Sequence, residues 1–424
     1  MQFDRSIRVL LPLFFLFYLA GAEAGSVLSL KQAEQLAVSE DPGIQRLKAR
    51  AQALSENAIA DGQLPDPKLK LGAVNFPVDT FNFSDTPMTQ WQLGVRQSFP
   101  RGQTLLYRTR RTEAKGRAEE AMAEDKSLLV LRSVRQDYLE AWYDQQAAKI
   151  VEDSRGLFRE LVEITERHYG IGKQTQQDVA SAQLELSLLE DRLIRIREQE
   201  EIARAALGRW TGEAAYQPLE TKLPKLPKLP KRKAILAALE HHPLIRAEEA
   251  RMEAANHGVQ LALEQYKPGF ALDVTYGFRS GQDLDGSDRP DLFSAMVLID
   301  IPLFTDKRQD RRLSASRLEH VAAGYARTDR LRALRKQLDG AYGRWRKLGE
   351  REKRFRQRLL GEAKLNSEAS LSAYQNGITE FTPLVRARLR ELDARLQMLR
   401  IRVDRAKTQA TLLYLAGHVE GVAP

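Results

Sequence analysis

The stretch KLPKLPKLPKRK, residues 222–233, divides the chain of 424 residues close to its middle. Each of its three prolines lacks a backbone N–H and pushes the preceding residue out of the α region, so the stretch cannot be a helix. Six of its twelve residues are basic, which is typical of a linker, a nucleic-acid-binding arm or a membrane-surface patch. The sequence on either side has to decide among these three interpretations.

The N-terminus indicates an exported protein. Arg5 and Arg8 precede an apolar run over residues 9–20, and Ala22-Glu23-Ala24 follows at the expected cleavage point. This layout predicts a signal peptide over residues 1–24, because the apolar run is too short to span a bilayer. The formal net charge is +9, but export argues against DNA, so we expect no nucleic-acid partner.

Several classes of site are excluded by what the sequence lacks. The chain has no cysteine, which excludes disulfides, thiolate metal sites and a lipidated cysteine. After residue 25 no uncharged apolar run reaches the roughly 18 residues of a membrane-spanning helix, so any membrane-spanning part must consist of strands. We find no nucleophile elbow and no phosphate-binding loop, and we interpret His241-His242 as a solvated pair. We therefore predict no catalytic residues, no metal site and no cofactor.

The two halves of the chain match each other in order. Asp41-Pro42 corresponds to His242-Pro243 at an offset of 201 residues, and Tyr169-x-x-Gly172 corresponds to Tyr374-x-x-Gly377 at an offset of 205 residues. Between these pairs the offset rises in one direction, as a duplication with small insertions would make it rise. We predict a first repeat over residues 25–217, a linker over 218–233 and a second repeat over 234–424. The KLP segment is then a stiff, extended and solvated connector.

Each repeat is predicted to begin with one helix of about 30 residues, followed by two strands. In the first repeat Ser29 and Gln32 have the spacing of a capping box. The strands alternate apolar and polar residues over about ten positions, the length that crosses a bilayer at a tilt. The predicted lipid-facing residues are Trp91, Leu93, Val95, Phe270, Leu272, Val274, Val297 and Ile299. The predicted lumen-facing residues are Gln92, Arg96, Asp273, Thr275 and Asp300.

Four strands cannot close on themselves, and open sheet edges do not persist in hydrocarbon. A barrel must therefore be assembled from several chains. Two copies give eight strands, whose interior is filled with side chains, whereas three copies give twelve strands and room for water. A conducting assembly is thus predicted to be a homotrimer in the outer membrane lipid.

The long proline-free segments predict long helices. Apolar residues recur at steps of three and four from Leu128 to Trp142 and from Leu331 to Trp345, and a helix from Gln103 to Tyr169 would be about 100 Å long. An antiparallel helix follows each turn. The two turns are predicted to lie farthest from the membrane and to dock a partner. Their candidate docking residues are Tyr169, Gly172, Lys173, Tyr374, Gly377 and Glu380.

In these duplicated motifs, strands and long helices, the chain resembles the TolC-type outer membrane efflux family over nearly its whole mature length. The resemblance implies a mainly α fold with a membrane β-barrel portion. A trimeric 12-stranded barrel continues as an α-helical tunnel into the periplasm of a Gram-negative cell. It also implies a passive conduit without catalytic residues, which works with a periplasmic adaptor (a membrane fusion protein) and an inner-membrane pump. The pattern is most similar to the CzcC-like and CusC-like branch, which serves heavy-metal efflux.

One departure from the family concerns the periplasmic gate. Members of the family often carry carboxylates just after the second turn, where this chain has Pro383 and Arg386. Asp178 follows the first turn. We take these three residues as the gate candidates, and a ring of Arg386 would disfavour cations there.

Two other functions remain open on the sequence. A type I protein secretion conduit would use the same tube. A periplasmic coiled-coil adaptor or scaffold would share the signal peptide and the long helices, although such proteins usually carry one helical hairpin, and this chain has two.

Overall fold

The computed structural model describes residues 27–417, and the predicted signal peptide lies outside the described residues. The strands are β1 Lys68–Val74, β2 Gln90–Phe99, β3 Gly269–Arg279 and β4 Leu292–Asp300. The helices of the first half are α1 Leu30–Glu40, α2 Pro42–Asp61, α3 Thr104–Gly170 and α4 Gln176–Thr211. Those of the second half are α5 Arg232–Ala238, α6 Pro243–Glu264, α7 Gln309–Arg354, α8 Leu360–Gln375 and α9 Phe381–Leu415. Within the described residues, no helix combines the length and the apolar character needed to cross a membrane.

The prediction of a single helix of about 30 residues at the start of each repeat was wrong. The first helix is broken at Asp41-Pro42, because proline excludes the helical conformation at the residue before it. The Asp41 side chain accepts a hydrogen bond from the backbone N–H of Ile44 at 2.8 Å and so caps the new helix α2. His242-Pro243 divides the second opening helix in the same way. The predicted capping box of Ser29 and Gln32 is present at the start of α1.

The prediction of a solvated histidine pair was also wrong for one member. His242 is only 1% exposed, and its Nδ1 accepts a hydrogen bond from the Leu244 backbone N–H at 3.3 Å. The other ring nitrogen, Nε2, lies 3.2 Å from the Tyr414 carbonyl oxygen and donates to it. Burial lowers the pKa of His242, so the ring is a neutral helix cap inside the core.

The long helices form as predicted. Helix α3 has 67 residues, and at 1.5 Å per residue it is about 100 Å long. It packs against α2, α4, α6 and α9 and is therefore the central helix of the fold. In the second half, one π-helical turn over residues 355–359 joins α7 to α8, so the rod continues to the second turn.

The four strands form one antiparallel sheet in the order β1-β2-β3-β4. Strand β2 of the first repeat pairs with β3 of the second, so the sheet joins the two repeats. Val95 lies opposite Val274, and Arg96 lies opposite Asp273. Since directly opposite residues share a face of the sheet, this register separates an apolar face from a face that carries the charged residues, although β4 also places Met296 and Leu298 on the latter.

The linker was predicted to be solvated, but one side of it packs against the helices. It is extended, as expected, but Leu223 and Leu226 pack against one hydrophobic core and Leu229 packs against the other. Pro224 is buried, and the Pro227 carbonyl oxygen accepts a hydrogen bond from the Gln409 side chain at 2.8 Å. The connector is therefore fixed to the helices by its leucines and by Pro224 and Pro227, while its lysines face solvent.

Candidate functional site

The polar face of the sheet gathers all five residues that were predicted to face a lumen. Asp273 forms an ion pair with Lys70 of β1 and lies opposite Arg96. The Thr275 hydroxyl donates to Asp273 at 3.3 Å. By the same register Gln92 and Asp300 lie on this face, opposite Gly277 and Gly269. Charges of both signs thus line one side of the sheet.

The other face carries the eight residues that were predicted to face lipid. Seven of them are between 40% and 63% exposed in the single chain, and Val274 is half-buried between Val95 and Ala295. An apolar surface of this extent is unusual on a soluble monomer. It requires another apolar surface or a lipid phase to cover it.

The outer edges of the sheet are open in the single chain. Among the described residues, β1 pairs only with β2 and β4 pairs only with β3. Open edges present unpaired backbone N–H and C=O groups, which attract further strands. Both edges of the sheet are therefore open to pairing with further strands.

The two turns at the far ends of the helices have the same geometry. Gly172 and Gly377 adopt positive φ values of 73° and 71°, which favour glycine. The Lys173 backbone N–H donates to the His168 carbonyl oxygen and the Ile378 N–H donates to the Ala373 carbonyl oxygen, each at 2.8 Å. Both helices thus end in a Schellman motif, and the two turns are structural equivalents, as the duplication predicts.

The tyrosines of the two turns differ in exposure. Tyr169 is 49% exposed, whereas Tyr374 is 1% exposed and its hydroxyl lies 3.1 Å from the Thr165 hydroxyl. The Tyr374 ring also packs edge-on against Phe381 at 5.8 Å between ring centroids. Of the predicted docking residues, Tyr374 therefore supports the turn from inside. Ile171 and Ile378, which the sequence analysis did not select, are 66% and 80% exposed at the turns.

The gate candidates lie just beyond the turns and have different local roles. Asp178 closes a capping box with Thr175, accepting from the Thr175 backbone N–H at 3.1 Å and from its hydroxyl at 2.7 Å. At the equivalent position of the second repeat Pro383 cannot form this box, and Glu380 makes no capping hydrogen bond from its side chain. Arg386 is exposed one turn later. The structure thus places the three residues at one end of the helices without bringing them into contact.

One buried acidic residue on α3, Asp144, was missed by the sequence analysis. Burial raises the pKa of Asp144 to about 7, and the nearby carboxylates Glu140 and Glu200 add to the effect, while Arg400 and Lys407 oppose it. The sequence indicated this burial, because residue 144 has helical spacing with the apolar residues 141, 147 and 151, which are buried on α3. An acidic residue in such a position indicates a buried charge.

We expect Asp144→Asn to stabilise the protein above neutral pH. An aspartate in an unfolded chain has a pKa of about 3.9, so between that pH and about 7 the folded state binds the extra proton. Stability is therefore lost as the pH rises through this window, by roughly 2–4 kcal/mol in total. Thermal unfolding of variant and wild type should coincide near pH 4 and diverge up to pH 8. A difference that does not change with pH would contradict the assignment.

No cluster of three or more His, Asp or Glu residues that could hold a metal ion occurs within residues 27–417. The buried ionisable groups His242 and Asp144 lie at a helix end and in the core. The features left for function are the incomplete sheet and the two turns.

Comparisons with known proteins agree with this geometry. The chain is similar in structure to the outer membrane protein VceC from Vibrio cholerae, with a TM-score of 0.76 at 20% identity over 92% of this chain and 96% of VceC. It is similar to the CmeC outer membrane channel of Campylobacter jejuni, with a TM-score of 0.77 at 15% identity over 92% of this chain and 85% of CmeC. It is also similar to CusC, with a TM-score of 0.78 at 16% identity over 98% of each chain. No curated protein matches the sequence.

The sequence itself matches a protein family twice. The family described as outer membrane efflux protein matches residues 34–213 and again residues 234–418, which together make up most of the chain. The predicted fold class and the resemblance to TolC-type proteins are confirmed. The chain belongs to the outer membrane efflux protein family, and it is a channel protein rather than an enzyme.

Proposed function

We propose that three copies of this chain close a twelve-stranded barrel in the outer membrane, and that the helices extend it as a tunnel into the periplasm. The assembly is a passive conduit of a tripartite efflux system. An adaptor connects it to an inner-membrane pump, which supplies the energy. The residues before Gly25 are a signal peptide in this proposal, and the two repeats and the linker keep the boundaries given above.

The incomplete sheet carries the proposal. It combines two open edges, an apolar face of exposed side chains and a polar face lined by Asp273, Lys70 and Arg96. Only a closed barrel satisfies the edges in hydrocarbon. Three copies give twelve strands, which leave a water-filled interior, and two copies do not. The polar face then lines the lumen and the apolar face contacts lipid.

The helices support the rest of the assembly. At about 100 Å, α3 is far longer than the bilayer is thick, so the turns lie deep in the periplasm when the strands lie in the membrane. Asp178, Pro383 and Arg386 then surround the periplasmic opening. The exposed guanidinium of Arg386 gives this opening a positive field in place of the carboxylate ring of related gates.

The proposed cargo is a small substrate, and heavy-metal cations are the first class to test because of the resemblance to the CzcC-like and CusC-like branch. A strain that lacks the gene should become sensitive to metals, and a plasmid copy should restore resistance. Sensitivity to drugs alone would assign a drug-efflux role. Loss of a secreted protein without any change in sensitivity would support type I secretion instead. A mature chain that stays monomeric and soluble without detergent would overturn the channel itself.

We expect charge reversal at the turns to weaken adaptor docking without harming the channel. The variants Lys173→Glu and Glu380→Lys change exposed side chains and leave the backbone hydrogen bonds of the turns intact. Cross-linking of the adaptor to the turns, and with it resistance, should fall several-fold. Trimer formation should stay at the wild-type level.

A matched pair of reversals at Lys149 and Glu201 provides the control, since both are exposed on α3 and α4 at a distance from the turns. These should leave cross-linking unchanged. If the variants at the turns also leave cross-linking and resistance unchanged, the turns are not the docking surface.

A further inference from the structure

The KLP segment carries a row of lysines that the efflux function does not use. Lys222, Lys225, Lys228 and Lys231 are all exposed, while the leucines and prolines between them are buried or half-buried. Within the described residues, none of the four side chains takes part in an ion pair or a side-chain hydrogen bond. Arg232, directly after the row, is by contrast paired with Asp339. The four lysines are therefore a free cationic surface.

The spacing of the row follows from the backbone. Proline fixes φ near −65° and keeps the residue before it extended. Lys231, at the end of the row, has φ −62° and ψ 147°, which are the values of a polyproline II helix. That helix has three residues per turn and a rise of 3.1 Å, so every third residue points the same way, about 9 Å apart. The four lysines share the exposed side with this three-residue period, and an ideal helix of this kind places the first and last of their Cα atoms about 28 Å apart.

The KLP segment is fixed to the rest of the protein, so its lysine row is already ordered before a ligand binds. Its leucines pack against both hydrophobic cores, and Gln409 of α9 holds the Pro227 carbonyl oxygen. At its N-terminal side the Trp142 indole N–H donates to the Glu220 carbonyl oxygen at 2.7 Å. A rigid surface loses little entropy when it binds a ligand.

The position of the row excludes two partners. Trp142 lies 38 residues along α3 from Thr104 and 28 residues before Gly170. At 1.5 Å per residue, the linker beside it is about 55 Å from the strands and about 40 Å from the turns. Both distances are far beyond the roughly 8 Å Debye length at physiological salt. Neither lipid headgroups nor charges located at the turns can neutralise these lysines.

We propose that the lysine row binds the free carboxylates of cell-wall peptidoglycan. This inference rests on the proposed placement of the helices in the periplasm. Three identical KLP units offer the same cation at a constant interval, so a polymer with repeating carboxylates can bind in several equivalent registers. Lysine is a hydrated point charge on a flexible stem and suits such a ligand better than a single folded partner. The row attaches the channel to the wall at half its height.

The test is co-sedimentation of the purified, detergent-solubilised channel with protease-stripped peptidoglycan sacculi. The variant Lys222→Gln/Lys225→Gln/Lys228→Gln/Lys231→Gln removes the row. Lys115→Gln/Lys149→Gln/Lys336→Gln/Lys353→Gln removes the same charge from exposed, unpaired lysines on α3 and α7 and is the matched control. We expect binding of the row variant to fall about tenfold and that of the control to stay near wild type. Salt, or amidation of the sacculus carboxylates, should release the wild-type channel.

Three results would overturn the proposal: no binding by the wild type, equal loss in both variants, or binding only to sacculi that retain their attached proteins. The last result would assign the row to an acidic protein. The assay requires no transport, so failure of the efflux proposal appears separately, in the resistance of the deletion strain. In cells, the row variant should still form trimers and confer resistance.

Discussion

A lysine in place of Val95 should abolish assembly of the channel. Val95 is near the middle of β2, is 47% exposed in the single chain and lies opposite Leu69 and Val274 on the apolar face. A lysine facing lipid at the bilayer midplane costs about 2–4 kcal/mol, and three copies would share one barrel. We expect no trimer band in outer-membrane fractions analysed without heating, and no resistance.

Thr275→Lys is the matched control. Thr275 lies next to Val274 on β3, at the same depth, but on the polar face beside Asp273 and Lys70. A new ammonium group there faces water in the proposed lumen, so trimers should form at the wild-type level. If Val95→Lys assembles normally, or if both variants fail alike, the assignment of the two faces is wrong.

The strands and long helices could be predicted because each depends on a periodic pattern. Period-two alternation placed all thirteen strand residues on their two faces, and the register of β2 with β3 then brought Arg96 opposite Asp273. Steps of three and four, with no proline from 101 to 217, predicted α3 to within one residue at each end. These patterns are local, so one sequence suffices to find them.

The features that the sequence analysis missed depend on contacts between distant segments. The burial of His242 could not be predicted from its sequence neighbours. Its hydrogen-bond partner, the Tyr414 carbonyl oxygen, is distant in sequence, and the nearby Leu239 belongs to an apolar core that forms only in the folded chain. The KLP segment is likewise held by a residue distant in sequence, Gln409 of α9, which donates to the Pro227 carbonyl oxygen. The proline break at residue 42 was local and could have been predicted, since Asp-Pro is a strong cap at a helix start.

Truncation of Tyr138 should strongly destabilise the protein. Tyr138 is fully buried on α3, and its hydroxyl donates to the Leu28 carbonyl oxygen at 2.6 Å. The Tyr138 hydroxyl oxygen in turn accepts a hydrogen bond from the Glu220 backbone N–H at 3.4 Å. One side chain therefore fixes the segment before α1 and the start of the linker to the central helix. Burial raises the pKa of Tyr138 to about 12, so the phenol remains a donor at every pH at which the cell lives.

Tyr138→Ala removes the ring and both hydrogen bonds, and we expect a loss of about 3–5 kcal/mol. Tyr138→Phe keeps the ring and leaves the buried Leu28 carbonyl oxygen without this donor, which should cost about 1–3 kcal/mol. Thermal unfolding of the purified channel measures the loss of stability in both variants. Tyr325→Ala, at an exposed site on α7, is the control that removes a tyrosine outside the core.

Equal stability of the alanine and phenylalanine variants would mean that the hydroxyl alone, and not the packed ring, holds these segments on α3. Because the KLP row begins two residues after Glu220, the alanine variant should also loosen that row and weaken sedimentation with sacculi, whereas the phenylalanine variant should retain most of it.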